Sequence, residues 1–262
     1  MWNTINKAIE TFDGWLWGLP LILLIILGGI WLTIRLRGVQ FHKLGLALKY
    51  MVKNESGGEG EVTSFGALCT ALSATIGTGN IVGVATAMAV GGPGALFWME
   101  VAALFGMATK YTEGLLAIKF RTFDSAGHVL GGPFYYIENG MGKRWKLLGK
   151  MFAVFGIGAG LLGIGTITQI NGITSAANNF FNGDAAKHIH LFGHDYSIVT
   201  IIAGLLVTIF AALVIIGGLE SISKVSQVIV PFMAVAYVLC ALIIVLTHIT
   251  EIPGAIAEIV QG

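Results

Sequence analysis

The sequence predicts an all-α protein that crosses a membrane several times. Hydrophobic residues make up 55% of the 262 residues and charged residues only 11%, whereas a soluble domain carries about 25% charged residues. Because so little charge is present to face water, we expect lipid to solvate much of the surface. The apolar residues also form long runs, each near the ~20 residues that a membrane-spanning helix needs.

Six apolar stretches are long enough to be membrane helices. Their bounds are 15–36, 64–90, 95–118, 151–181, 198–217 and 226–247. Between the first two, residues 41–50 place lysines among leucines in a pattern typical of a short amphipathic helix on the lipid headgroups. The sequence therefore predicts six spans and one surface helix.

The basic residues predict the orientation of these spans. Twelve of the 15 Lys and Arg residues follow the first, third or fifth span, and two fall on the other side. Cytoplasmic loops are enriched in Lys and Arg, so we expect the N-terminus outside and loops 37–61 and 119–150 in the cytoplasm. The net charge of +1 excludes a nucleic-acid binder, which needs a basic surplus.

The second span is interrupted by the residues Thr-Ile-Gly-Thr-Gly-Asn at 75–80. Inside a helix, each glycine lowers helix stability by about 1 kcal/mol relative to Ala. We therefore expect the helix to unwind easily here. Unwound backbone within a membrane must face protein, water or a ligand. The carbonyls that end the first half, near Ser73, suit a cation, and the N–H groups that open the second half, near Gly79 and Asn80, suit a carboxylate. The alternative is that these glycines only allow close helix packing.

Gln169 in the fourth span is the side chain that we expect to meet this break. At about 100° per residue, it shares one face with small residues, namely Gly158, Gly165, Gly172 and Ala176. A second polar face could line a water-filled path and consists of Asn171, Thr174, Ser175 and Asn178. For both faces the alternative is hydrogen bonding between helices.

Two interpretations fit the charged residues of the third span: an ion pair on the helix, or a relay of protons or ions. Lys110 and Glu113 are three residues apart and can pair on a helix, whereas Glu100 lies nearer the outside. Charged groups inside a membrane otherwise suggest a path for protons or ions. The later segment 131–140, bounded by Gly and Pro, is expected to fold back as part of an inner gate.

The remaining motifs do not indicate an enzyme. Gly158–Gly163 has the letters GxGxxG but follows no strand, so it is not a dinucleotide site. Histidines and an aspartate at 188–195 could bind a metal, although their spacing is not one typical of metal sites. Cys69 and Cys240 lie in apolar runs and predict no disulfide framework.

Four segments together resemble the alanine/glycine:cation symporter family. They are 74–83, 91–106, 131–136 and 225–234, and the resemblance covers essentially the whole chain. One departure is Glu100, where the family usually has Trp, which affects only the expected packing of the outer half of the third span.

The resemblance implies sodium-coupled symport of alanine, or of glycine, across the cell membrane by alternating access. It also implies the leucine-transporter-type fold of two inverted five-helix repeats. On that pattern, 1–63 is an N-terminal helix with an amphipathic segment, 64–248 is the first repeat and 249–262 starts the second. We therefore expect this chain to be the N-terminal part of a longer transporter and to need a C-terminal half as its partner.

The resemblance further implies binding roles at the break. Thr75 and Asn80 would hold the Na⁺ nearest the substrate, and the backbone of Ser73 and Ile76 would supply half of a second Na⁺ site. Thr78 and Gly79 would meet the substrate carboxylate, beside Thr75. Gln169 is added to the substrate site from its place on the helix. Two alternatives stay open: a proton-linked carrier or channel that uses Glu100 and Lys110, and a structural membrane subunit.

Overall fold

The computed structural model describes residues 2–52, 61–163, 165–181, 188–191 and 194–261. The helices are α1 (Trp2–Leu16), α2 (Leu19–Arg35), α3 (Val39–His42), α4 (Leu44–Val52), α5 (Ser64–Thr75), α6 (Val82–Gly91), α7 (Gly94–Lys119), α8 (Pro133–Met141), α9 (Lys146–Leu161), α10 (Thr166–Phe181), α11 (Ile198–Ile216), α12 (Gly218–Thr247) and α13 (Ile252–Gln261). Two short antiparallel hairpins pair β1 (Thr122–Phe123) with β2 (Val129–Leu130) and β3 (His188–Leu191) with β4 (His194–Ser197). The predicted all-α class is confirmed.

The chain divides into two compact units. The first unit contains Met1–Tyr50, Pro93–Gly149 and Ile259–Gly262. The second contains Met51–Gly92 and Lys150–Glu258. The second unit includes the interrupted span and Gln169, so the candidate site lies within it.

Length and composition identify four or five membrane spans among the described residues, not six. Four are Thr4–Arg35, Lys143–Phe181, Ile198–Ile216 and Gly218–Thr247, and a fifth is the bent pair formed by Ser64–Thr75 and Thr78–Gly91. The stretch predicted at 95–118 is continuous in α7, but it is not among these spans. Its three charged residues, Glu100, Lys110 and Glu113, account for its lower hydropathy.

The fourth predicted span, 151–181, falls within the candidate span Lys143–Phe181, but its described residues form two helices, α9 and α10, and not one. Gly163 and Gly165 lie between the two helices with φ of +66° and +85°, values that residues with a Cβ rarely adopt. The helical face drawn from Gly158 to Ala176 therefore does not continue through this interruption. It holds only within α10, from Gln169 onward.

The remaining predicted elements differ mainly at their ends. The span predicted at 15–36 begins in α1 and continues in α2, which starts beside Pro20. The span predicted at 226–247 begins eight residues earlier, at Gly218. The amphipathic segment 41–50 is helical, but it is shared between α3 and α4.

In the first unit, α2 packs closely against α7. Gly29 is buried, and a Cβ added to it would lie 2.9 Å from Phe105 Cβ. The segment 131–140 forms α8 and packs on α7, as expected of a segment that folds back. Burial and the Glu113 carboxylate raise the pKa of the Tyr136 phenol on α8. A gating role for α8 stays a prediction.

In the second unit, small residues bring α5 and α12 together. Gly66 faces Ser223, and a Cβ added to it would collide with Ser223 Oγ and lie 2.9 Å from Gln227 Nε2. Cys69 and Ser223 are almost fully buried, which explains the unpaired cysteine of α5 as a packing residue. The first half of the broken span is thus held at close range by α12.

Helix α10 packs on α11 at Thr174. This residue is buried, its hydroxyl donates to the Ile170 carbonyl at 3.0 Å, and its methyl group lies near Gly204. Thr174 therefore packs α10 on α11, and together with Asn171 it also lines a cavity of about 600 Å³, so the water-filled path stays a prediction. Asn171 and Ser175 are exposed in the structure.

The packing of α5 on α12 can be tested with a pair of glycine substitutions. Gly66→Ala should lower the stability by about 1–3 kcal/mol, because the new methyl group overpacks the contact with Ser223. Gly83→Ala is the matched control in α6, where a Cβ meets nothing within 4 Å. Thermal unfolding of the purified protein in detergent measures both, and equal shifts for the two variants would contradict this packing.

Candidate functional site

The candidate site is the interruption between α5 and α6. Helix α5 ends at Thr75, a single 3₁₀ turn covers Thr78–Asn80, and α6 begins at Val82. The two halves are bent by 68°. The unwinding predicted at 75–80 from its glycines is therefore present.

The backbone N–H groups in the break turn away from α5. Gly77 N–H donates to Asn80 Oδ1 at 3.1 Å, and Thr78 N–H donates to Gln169 Oε1 at 2.8 Å. In a continuous helix these two groups would donate to the carbonyls four residues earlier, those of Ser73 and Ala74. Both carbonyls consequently lose their helical donors.

The carbonyl of Ile76 loses its helical donor in the same way. Asn80 N–H, which would reach it in a continuous helix, donates instead to the Gly77 carbonyl at 3.1 Å. Ile76 N–H still donates to the Leu72 carbonyl at 2.8 Å. This bond is therefore the last of the helical backbone hydrogen bonds of α5. The end of α5 thus presents carbonyl oxygens with the negative end of its helix dipole.

The last turn of α5 also carries two hydroxyl groups. Ser73 Oγ donates to the Thr70 carbonyl at 2.7 Å, and Thr75 Oγ1 donates to the Ala71 carbonyl at 2.8 Å. A hydroxyl that donates its hydrogen keeps oxygen lone pairs that can accept a hydrogen bond or bind a cation. The end of α5 is therefore rich in oxygen ligands.

Gln169 makes the contact with the break that its place on the helix predicts. Its amide lies directly against Gly77, where an added Cβ would come within 2.8 Å of both Cδ and Oε1. Because Thr78 N–H can only donate, it identifies the amide atom facing it as the acceptor Oε1. The amide nitrogen Nε2 is consequently the end that faces Gly77.

A second contact between α10 and the break was not predicted. A Cβ added to Gly172 would lie 2.6 Å from Thr78 Cγ2. Gly172 follows Gln169 by three residues and therefore lies on the same helical face. This spacing is the sequence feature that could have predicted the contact with Thr78. One glycine in the break and one in α10 thus each face a side chain of the other segment.

Other candidate groups form local pairs. Lys110 Nζ and Glu113 Oε2 are 2.9 Å apart, as expected from their spacing. His190 Nδ1 and Asp195 Oδ1 are 2.8 Å apart across the second hairpin. Among the described residues no three His, Cys, Asp or Glu side chains are grouped as a metal site would require. The side chains of His188 and His194 lie outside the described ones.

Comparison with known proteins agrees with this architecture. Residues 2–262 match the model of the sodium:alanine symporter family. The chain belongs to this family. Membership of a transporter family, together with several helices that are long and apolar enough to span a membrane, indicates a multi-pass membrane protein.

Relatives of this family member come from several organisms. The chain is 48% identical over 259 residues to an uncharacterized transporter of Haemophilus influenzae, covering 99% of this chain and 53% of the relative. It is 45% identical over 258 residues to the sodium/alanine symporter AgcS of Methanococcus maripaludis, covering 97% and 53%. It is 33% identical over 264 residues to the probable sodium/glutamine symporter GlnT of Bacillus subtilis, covering 100% and 51%. The chain therefore spans about half the length of the curated relatives it matches.

A double-mutant cycle tests the contact between Gly172 and Thr78. Gly172→Ala should destabilise the protein by about 1–3 kcal/mol, because its methyl group meets Thr78 Cγ2. Thr78→Ser removes Cγ2, so the double variant should recover most of this loss. Unfolding midpoints of the four proteins in detergent measure the coupling, and strictly additive effects would show that the two residues do not touch.

Proposed function

We propose that the protein transports alanine together with Na⁺ and binds both at the break between α5 and α6. The observation that carries the proposal is the redirection of the Gly77 and Thr78 N–H groups, which leaves carbonyl oxygens at the end of α5 without helical donors. Membership of the sodium:alanine symporter family supports the choice of solute and ion.

Sodium fits the end of α5 because all the candidate ligands are oxygen atoms. Hard cations prefer such ligands, and we assign Thr75 and Asn80 to the ion nearest the substrate. The backbone of Ser73 and Ile76 would supply half of a second site. Asn80 Oδ1 already accepts from Gly77 N–H, which holds this oxygen inside the break.

The absence of charged side chains in the broken span explains why ion and solute would bind together. Residues 64–91 contain no Asp, Glu, Lys or Arg. A lone cation or a lone carboxylate within this span would be costly to desolvate. When Na⁺ and the carboxylate of an amino acid bind side by side, each neutralises the other. This mutual stabilisation is the proposed source of coupling.

For the substrate carboxylate we assign Gln169 Nε2 and Gly79 N–H as donors. Thr78 N–H already donates to Gln169 Oε1 at 2.8 Å, so we assign Thr78 to positioning of the amide, although the family pattern gives it to the carboxylate directly. Fixing Oε1 in this way directs Nε2 toward Gly77 and the break. We assign Thr75 to both the Na⁺ and the substrate, because it lies at the end of α5 beside the break.

The relatives guide the proposed solute. The sodium/alanine relative is 45% identical to this chain, and the sodium/glutamine relative is 33% identical. We therefore favour alanine, with glycine as a smaller member of the same substrate class.

The proposal includes alternating access on a leucine-transporter-type fold in the cell membrane. The bend at the break would let the two half-helices move separately, and the distribution of Lys and Arg supports an outside N-terminus with loops 37–61 and 119–150 in the cytoplasm. Because the chain spans about half the length of these relatives, transport by the whole protein is itself part of this proposal.

Sodium coupling is tested by alanine uptake into proteoliposomes that contain the full-length protein. Accumulation should require an inward Na⁺ gradient and should stop when choline replaces Na⁺. Asn80→Ala should raise the Na⁺ concentration for half-maximal uptake about tenfold, the equivalent of one lost ligand worth about 1.4 kcal/mol. Thr86→Ala is the control, since Thr86 lies in α6 and donates only to the Val82 carbonyl. Equal uptake in choline would rule out sodium coupling.

The role of Gln169 is tested by Gln169→Glu. A carboxylate keeps the acceptor for Thr78 N–H, but it has no hydrogen to donate and repels a second carboxylate. The KM for alanine should rise more than tenfold and should fall again as the pH is lowered toward the ordinary pKa of Glu, about 4.3, because the protonated form can donate. A KM unchanged from that of the original protein at neutral pH would remove Gln169 from the substrate site.

A further inference from the structure

Helix α12 is packed against α5 along its first half only. The buried residues of α12 all precede Pro231 and are Ser223, Ser226 and Val230. After the proline, Phe232 is 75% exposed, and the large apolar side chains that follow it as far as Leu246 are exposed as well. Helix α12 therefore consists of a packed half, 218–230, and an exposed half, 232–247.

The packed half of α12 interlocks with α5 at Gly66, Ser223 and Gln227. A Cβ added to Gly66 would collide with Ser223 Oγ and lie 2.9 Å from Gln227 Nε2. The Gln227 amide is held in this position because Nε2 donates to the carbonyl and to the hydroxyl of Ser223, each at 3.3 Å. Close packing of this kind holds helices together in a membrane. Movement of α5 along α12 would therefore separate the two surfaces of this interlock.

Pro231 lies immediately after Val230, the last buried residue of α12. Proline has no backbone N–H, so it leaves the carbonyl four residues earlier without its helical donor. In α12 this is the carbonyl of Gln227. Proline is also one of the few features at which helices bend sharply. The backbone of α12 is thus weakest at the boundary between the packed half and the exposed half.

We propose that α5 and the packed half of α12 move as one body, and that α12 bends at Pro231 when they move. This inference rests on the alternating access proposed above, in which the two half-helices at the break move separately. Movement of α5 alone would separate the interlock at Gly66. Movement of both segments keeps the interlock and changes the backbone at Pro231, where one helical hydrogen bond is already missing.

Distances between spin labels test the joint movement in the full-length protein in liposomes. One pair of labels, at Ala67 and Lys224, joins exposed positions on α5 and on the packed half of α12. A second pair, at Ala67 and Val90, spans the break. Addition of Na⁺ and alanine should change the second distance and leave the first unchanged. A change in the first distance, or no change in the second, would overturn the proposal.

A disulfide across the interlock tests the same movement by its effect on uptake. Gly66→Cys with Ser223→Cys, in a background with Cys69→Ala and Cys240→Ala, joins two segments that move together, so oxidation should leave alanine uptake unchanged. The control pair, Gly172→Cys with Thr78→Cys, joins α10 to the break, and its oxidation should stop uptake. Loss of uptake on oxidation of the first pair would overturn the joint movement. Absence of uptake by the original protein would contradict the proposed function instead.

Pro231→Ala tests the bend in α12. Alanine restores an N–H that donates to the Gln227 carbonyl, so each bend must break one more hydrogen bond. The rate of alanine uptake should fall about tenfold, the upper end of what one hydrogen bond contributes, while the dissociation constant for alanine stays the same. Pro20→Ala is the matched control, because Pro20 lies in the first turn of α2, where an N–H has no helical acceptor. Equal uptake rates for the two variants would overturn bending at Pro231.

Discussion

The candidate site depends on one hydrogen bond, from Thr78 N–H to Gln169 Oε1. A membrane offers no water to satisfy unwound backbone, and each unsatisfied group costs several kcal/mol. The amide of Gln169 removes this cost at one N–H group, and the side chain of Asn80 removes it at the adjacent one. With both N–H groups satisfied elsewhere, the carbonyls of Ser73 and Ala74 are left to face the break. A side chain on α10 therefore stabilises the conformation that exposes oxygen atoms at the end of α5.

Glycines make this hydrogen bond sterically possible. Gly77 leaves room for the Gln169 amide, and Gly172 leaves room for the methyl group of Thr78. The same principle brings α5 to α12 at Gly66 and α2 to α7 at Gly29, where small residues permit close approach without any ligand. Binding and packing are thus not competing explanations for the glycines of this chain. Gly77 differs because the Gln169 amide that fills its space also accepts a hydrogen bond from the unwound backbone, at Thr78 N–H.

The fold and the site were predictable to the extent that they depend on local pattern. The break at 75–80 followed from its glycine content. The contact with Gln169 was expected from a helical face running from Gly158 to Ala176, of which only the part from Gln169 onward lies on one helix. The interruption at Gly163 and Gly165 was missed, because an apolar run with glycines is compatible with both a continuous and a divided helix. The contact of Gly172 with Thr78 was also missed. The spacing of Gly172 from Gln169 placed it on the correct face of α10, but which residue of the break it contacts depends on how the two segments pack.

The interruption before α10 matters for how the break is held. Gln169 lies in the first turn of α10, where its N–H donates to the Gly165 carbonyl at 3.2 Å. The residue that fixes the broken span is therefore placed immediately after two glycines with positive φ, not in the middle of a long rigid helix. A change in direction at Gly163 or Gly165 would move the Gln169 amide relative to α9 without disturbing the packing of Thr174 farther along α10. The Gln169 amide accepts from Thr78 N–H. It is connected to α9 through Gly163 and Gly165, where glycine permits the widest range of backbone angles.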